Sequence, residues 1–117
     1  MSNMYLDVAT FVSACGQHPS EKNAELYKNL MKEEWDEFWQ AEAMKDDLGQ
    51  LDGCMDLIWV ILGYCRMRGW DVNGAWHEIA LNNLSKINPD TGQVKKDENG
   101  KVMKPNGWTP PDLKRYI

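Results

Sequence analysis

Apolar positions recur at helical spacing through the first three quarters of the chain. From about residue 5 to 15, Leu6, Val8, Ala9, Phe11, Val12 and Cys15 supply the apolar side of a short helix, with Gly16 placed to close it. "GQHPS" reads as a loop. Ser20 stands as N-cap of a long second helix reaching about residue 44, with Glu21 in the first turn, where the helix dipole favours an acid. The polar "KDDLGQ" then breaks or bends the chain. A third helix follows from about 51 to 68, ended by Gly69, and Asp71 or Asn73 caps a fourth over about 72–87. After "NPDTG" the helical period is lost. Two short segments flank Asn99-Gly100, a dipeptide favoured in tight hairpins, and predict a small β-hairpin over about 93–104. Residues 105–117 form a Pro-rich tail with too little periodicity for a further core element. The expectation is a single all-α domain over 1–117, four-helix bundle-like, with a small C-terminal β-hairpin and tail.

Two of the apolar stripes are interrupted by acids. On the second helix Tyr27, Leu30, Met31, Phe38 and Ala41 form a stripe, and Glu34 falls in its middle. At about 100° per residue, Tyr27 and Ala41 lie only about 20° to either side of Glu34. Glu37 lies about 60° away on the same count, and Glu33 is one turn from Glu37. The third helix, "CMDLIWVILGYC", is apolar nearly all round except for Asp56, with Asp52 one turn before it on the same side. A run such as "EEWDE" is most often a solvated helix face, and a lone core carboxylate can be satisfied by hydrogen bonds. Two interrupted stripes together point to a site. If the two faces meet, four or five carboxylates converge with no Lys or Arg among them, a repulsion that divalent cations would relieve. An all-oxygen donor set suits Mg²⁺, with Mn²⁺ as a substitute, rather than Zn²⁺. Di-iron bundles use Glu-x-x-His on facing helices, and neither His18 nor His77 has that spacing.

Composition narrows the function classes. Hydrophobic residues make up 43% and charged residues 26%, as in an ordinary soluble globular chain. A net charge of −5 gives no basic surface for general nucleic-acid binding, so none is expected. The longest apolar run, Leu57 to Cys65, is too short to cross a bilayer, and no secretory leader is seen, so a cytoplasmic place is expected with no membrane partner. Cys15, Cys54 and Cys65 are odd in number, form no Cys-x-x-Cys, and are expected to be buried, reduced thiols. The over-apolar third helix predicts a homodimer or homotetramer. On the fourth helix Asn83 shares a side with Trp76, Ile79, Ala80 and Ile87, and Lys86 stands at its edge. An amide and an ammonium so placed suit phosphate oxygens, although a helix-end cap and a dipole-complementing lysine would look the same. Gln17, His18, Trp35, Trp39 and Trp108 are candidates for reading or stacking on a base.

"EEWDE", "DGCMD", "NNLSK" and "DENGKVMKPNGWTPPD", in that order over about Phe11 to Leu113, resemble the MazG-like and phosphoribosyl-ATP pyrophosphohydrolase-like superfamily, in its phage and bacterial branch. The resemblance implies an all-α, Mg²⁺-dependent hydrolase that splits a nucleoside triphosphate to the monophosphate and pyrophosphate, usually as a dimer or dimer of dimers. It implies Glu34 and Glu37 as the first metal-binding acidic pair, with Glu33 the extra acid before it. Asp56 matches the Asp of the second pair, Glu-x-x-Asp. Gly53 stands where that pair has Glu, and Asp52 is the nearest substitute. Asn83 and Lys86 match an Asn-x-x-Lys near metal and phosphate. In this frame Glu33 or Glu37 orients the attacking water or takes its proton, and Lys86, with Lys101 or Lys104, neutralises the leaving pyrophosphate. Phosphoribosyl-ATP hydrolysis and a non-catalytic helical partner-binding or regulatory module are the alternatives.

Overall fold

The computed structural model describes residues 3–117. Among the described residues four helices form: α1 (Met4–Ala14), α2 (Glu21–Ala43), α3 (Asp47–Met67) and α4 (Val72–Leu84), followed by a 3₁₀ turn at Lys114–Tyr116. Capping explains the boundaries. Asn3 Oδ1 accepts from Leu6 N at the start of α1, and Ser20 Oγ accepts from Asn23 N at the start of α2, as expected of an N-cap serine. The third helix begins earlier than the sequence pattern predicts. Asp46 caps it by accepting from Gly49 N, so "KDDLGQ" starts a helix rather than breaking one. The fourth ends at Leu84, short of residue 87.

The chain divides into two compact units, Met1–Val72 and Asn73–Ile117. The first is built on α2 against α3, with α1 packed on α3. Its core is Val8, Val12, Ala24, Tyr27, Val60 and Met67, with Leu30, Leu57 and Trp59 packed round them. Phe11 and Trp59 meet edge to face at 5.6 Å, joining α1 to α3. Glycine permits the closest helix contact. The Tyr27 ring lies where a Gly63 side chain would begin, and the Tyr27 hydroxyl donates to Gln17 Oε1 at 2.5 Å, tying the α1–α2 loop to this point. Further along, a Cβ on Gly53 would stand 3.2 Å from the Phe38 Cα. Gly49 likewise faces Ala41, so the helices come close at three heights and run antiparallel, since Tyr27, Phe38 and Ala41 ascend while Gly63, Gly53 and Gly49 descend.

The second unit is held differently. No residue of α4 is buried. The tail is fastened to α4 by polar contacts: Asn82 Nδ2 donates to the Thr109 carbonyl at 2.8 Å, Trp108 Nε1 donates to Asn82 Oδ1 at 3.2 Å, and Arg115 pairs with Glu78, which also accepts from the Tyr116 hydroxyl at 3.0 Å.

Two expectations are corrected. No strand forms among the described residues, so the C-terminal β-hairpin is absent; only the isolated bridges Asn88–Gln93 and Lys96–Val102 occur. The turn itself is built, with Gly100 at φ +83° and Asp97 Oδ1 accepting from both Asn99 N and Lys101 N. The flanks are short and polar and meet Pro105, so they lack the side-chain pairs that extend a ladder. Cys15 and Cys54 are exposed rather than buried: Cys15 caps the end of α1, and Cys54 lies beside exposed Met55 on α3. Only Cys65 is partly covered, and burial pushes its thiol up. On the third helix Leu51, Met55, Ile58 and Ile61 are exposed, apolar surface of the kind the expectation of self-association starts from. No helix among the described residues is long and apolar enough to cross a membrane.

Candidate functional site

The glycine contacts set the register of the acidic residues. Seven residues along α2 from Tyr27 stands Glu34; seven back along α3 from Gly63 stands Asp56. Antiparallel helices rise equally per residue, so Glu34 and Asp56 come level on the facing sides, about 10 Å from the Tyr27–Gly63 contact. Glu37 and Asp52 lie one turn further on. The electrostatics agree. The Glu34 carboxyl is pushed up to about 7, first by burial, then by a hydrogen bond shared with Glu37 and by the charges of Glu37, Asp56 and Asp52. Burial and the charges of Asp52 and Glu37 likewise raise Asp56. Glu34 Oε2 is buried with no hydrogen-bond partner, which is rare for a native carboxylate oxygen.

Gly53 explains the missing second-pair Glu. It is buried against the Phe38 backbone, and any longer side chain there would push α3 off α2. An acid has room one residue earlier, at Asp52. Glu33 is exposed, and it is not among the charges that act on Glu34.

Beside the acids on α2 lies an aromatic group. Trp35 stacks on Phe38 at 6.3 Å and meets Trp39 edge to face at 5.7 Å, and both tryptophans are about half exposed. Gln17 has its side-chain oxygen taken by Tyr27, whereas His18 is exposed and its carbonyl accepts from Asn23.

The basic candidates belong to the second unit. Lys86 Nζ donates to Asn83 Oδ1 at 3.0 Å. Lys86 and Lys104 both lie over the Trp108 ring, at 5.5 and 4.5 Å from its centre. A cleft of about 520 Å³ is lined by Lys86, Lys104 and Lys95. Lys101 lies outside that lining. Lys95 has no counterpart in the sequence expectation. Its place follows from the turn, where Met103 N donates to the Lys95 carbonyl at 2.7 Å, and the pairing of positions either side of Asn99-Gly100 is the signal that could have found it.

An all-α chain with carboxylates facing one another across an antiparallel helix pair defines a class of acidic-centred helical domain. The chain belongs to the phosphoribosyl-ATP pyrophosphohydrolase family, within the MazG-like all-α superfamily; the family model matches residues 13–83. Membership places the chain's general chemistry among the nucleotide pyrophosphohydrolases. The matched span includes Glu34, Glu37, Asp52, Asp56 and Asn83, and ends before Lys86. No curated protein matches the chain.

Proposed function

We propose that the protein hydrolyses a nucleoside triphosphate to the monophosphate and pyrophosphate with Mg²⁺, at the carboxylates between α2 and α3. The observation that carries this reading is the unpartnered, buried Glu34 Oε2 among three further acids. A buried oxygen surrounded by like charge needs a cation, and an all-oxygen set fits a hard divalent one. Among the described residues no three such side chains are already gathered closely enough to enclose an ion. Glu34, Glu37, Asp52 and Asp56 are the residues that would hold it.

Magnesium, when bound, supplies neutralisation of phosphate charge and a more acidic water. The chain's own residues supply the rest. Glu33, exposed and one turn from Glu37, orients the attacking water and takes its proton. The bond that breaks joins the α-phosphorus to its bridging oxygen, which leaves on pyrophosphate. In the second unit Asn83 and Lys86, already hydrogen-bonded, form a pair suited to phosphate oxygens. The exposed tryptophans Trp35 and Trp39 offer faces on which a base can stack.

The family description favours a second substrate, phosphoribosyl-ATP, which is cut at the same kind of bond. A panel of ribo- and deoxyribonucleoside triphosphates and phosphoribosyl-ATP, each with Mg²⁺, separates the two when pyrophosphate and the monophosphate are measured. Release of pyrophosphate from none of them would leave the chain a non-catalytic helical module.

The exposed stripe of α3 supports a homodimer or homotetramer. Leu48, Leu51, Met55 and Ile58 follow one another at three- and four-residue steps and are all exposed, a surface more apolar than a lone chain usually shows.

A further inference from the structure

One side of α4 is covered by the chain's own tail. Glu78, Asn82 and Lys86 stand at four-residue steps and follow one another along the helix and the turn that continues it. All three are half-buried, whereas Asn83, Leu84 and Ser85, between the last two, are exposed. Asn82 spends both ends of its amide on the tail: Nδ2 donates to the Thr109 carbonyl at 2.8 Å, and Oδ1 accepts from Trp108 Nε1 at 3.2 Å. Glu78 pairs with Arg115 and accepts from the Tyr116 hydroxyl. The tail therefore runs back along α4, from Lys86 towards Glu78.

The tail is shaped to present Trp108. Gly107, at φ +79°, lets the chain turn so that Trp108 N donates to the Pro105 carbonyl at 3.1 Å. Pro110 and Pro111 stiffen the stretch that follows. Lys86 is the residue that gains. It lies past the last residue of α4, Leu84, and its N–H bonds the Asn83 carbonyl in a tighter turn. A lysine on such an end has a long flexible stem and loses much freedom when held. Two contacts hold its ammonium: Asn83 Oδ1 at 3.0 Å, and the Trp108 ring with its centre 5.5 Å away. Asn83 is itself exposed, so that contact alone leaves the ammonium free to swing. The Trp108 ring is half-buried and pinned through its N–H to Asn82, which makes it the fixed wall of the two. Lys104 shares the ring, 4.5 Å from its centre.

We propose that Trp108 is a positioning residue for the hydrolysis, acting through Lys86, and that Asn82 is the joint that fixes Trp108. The inference rests on the hydrolysis reading, in which Lys86 meets the phosphate chain, and it gives the tail no contact with substrate. The tail sets where the ammonium stands before substrate arrives, so the lysine is ordered on folding rather than during the reaction.

The test is a double-mutant cycle on the full chain, read as pyrophosphate release with Mg²⁺ from the nucleotide it cleaves fastest, with NMR spectra of the lysine side chains alongside. Trp108→Ala and Asn82→Ala should each lower kcat by about tenfold in the wild-type background. In a Lys86→Gln background each should cost less than about twofold, because the group they position is already gone. A role confined to stability would lower activity by the same factor in both backgrounds. The Lys86 side-chain protons, lying over the ring, should resonate upfield in the wild type and return to ordinary positions in both alanine variants. Circular dichroism checks folding; should Trp108→Ala fail to fold, Asn82→Ala carries the cycle, since alanine suits a helix. The proposal is overturned if the losses are equal in the two backgrounds, if both alanine variants keep wild-type kcat, or if the Lys86 signals are not displaced in the wild type. Each of these outcomes leaves the hydrolysis reading standing. A wild type that releases pyrophosphate from no nucleotide overturns that reading and this one with it.

Discussion

Replacing Glu34 by Gln should make the metal-free protein more stable, and only at high pH. Glu34 carries a carboxyl raised from 4.5 to about 7 in the folded chain. Between these values the folded protein holds a proton that the unfolded chain has released. Stability therefore falls as pH rises from about 4.5 to about 7, and this group adds no slope beyond. Taken in full, such a rise corresponds to about 3 kcal/mol; the side chain is only half-buried, so solvent relaxation leaves about 1–2 kcal/mol. Glutamine fills the same space without the charge, so Glu34→Gln should exceed wild type by about 1–2 kcal/mol at pH 8, or roughly 4–10 °C in Tm, and by almost nothing near pH 4.5. The assay is urea unfolding in EDTA at several pH values, followed by helical circular dichroism. Adding Mg²⁺ at pH 8 should reverse the order, because the wild type alone keeps the full ligand set. An advantage of Glu34→Gln that is equal at pH 5 and pH 8, or absent at both, would refute the claim that repulsion among these acids burdens the fold.

Asp56→Ala should abolish pyrophosphate release at saturating Mg²⁺ while leaving metal-free stability equal or higher, since it removes one of the charges facing Glu34; near-normal turnover would exclude Asp56 as a ligand. Gly63→Ala should cost about 1–3 kcal/mol in urea unfolding at any pH, because the new methyl meets the Tyr27 ring. Light scattering at micromolar concentration should give a dimer or tetramer, and changing Met55 and Ile58 to charged residues should yield monomers; a wild-type monomer would leave the exposed stripe of α3 without a self-partner.

Much of this arrangement was legible in the sequence because it rests on local rules. Ser20 announces α2, and the helical period shows that Glu34 and Asp56 interrupt their stripes. Register was not legible, since it depends on where two helices touch. Gly49, Gly53 and Gly63 mark that contact, and a glycine inside a helix says that something approaches without saying what. The family pattern, read without the structure, leaves a gap at Gly53; the Phe38 backbone fills it. The C-terminal segment misled because Asn99-Gly100 specifies a turn, whereas a ladder needs flanking side chains that this segment lacks. The exposed cysteines show the same limit, for apolar neighbours in sequence need not be neighbours in space.

The Tyr27–Gly63 contact has a consequence for how the protein can evolve. Most enzymes face a conflict at the active centre, because the groups that do chemistry are also groups that the fold must tolerate. Here the fastening and the acids lie on the same two helices but about two turns apart. Substitutions among the acids relieve repulsion without loosening the point that sets register, so the chemistry can drift while the scaffold keeps its alignment. Tyr27 and Gly63, by contrast, are bound to each other's identity: an aromatic ring at one position requires the absence of a side chain at the other. Innovation is expected at the acidic end, and inheritance at the clamp.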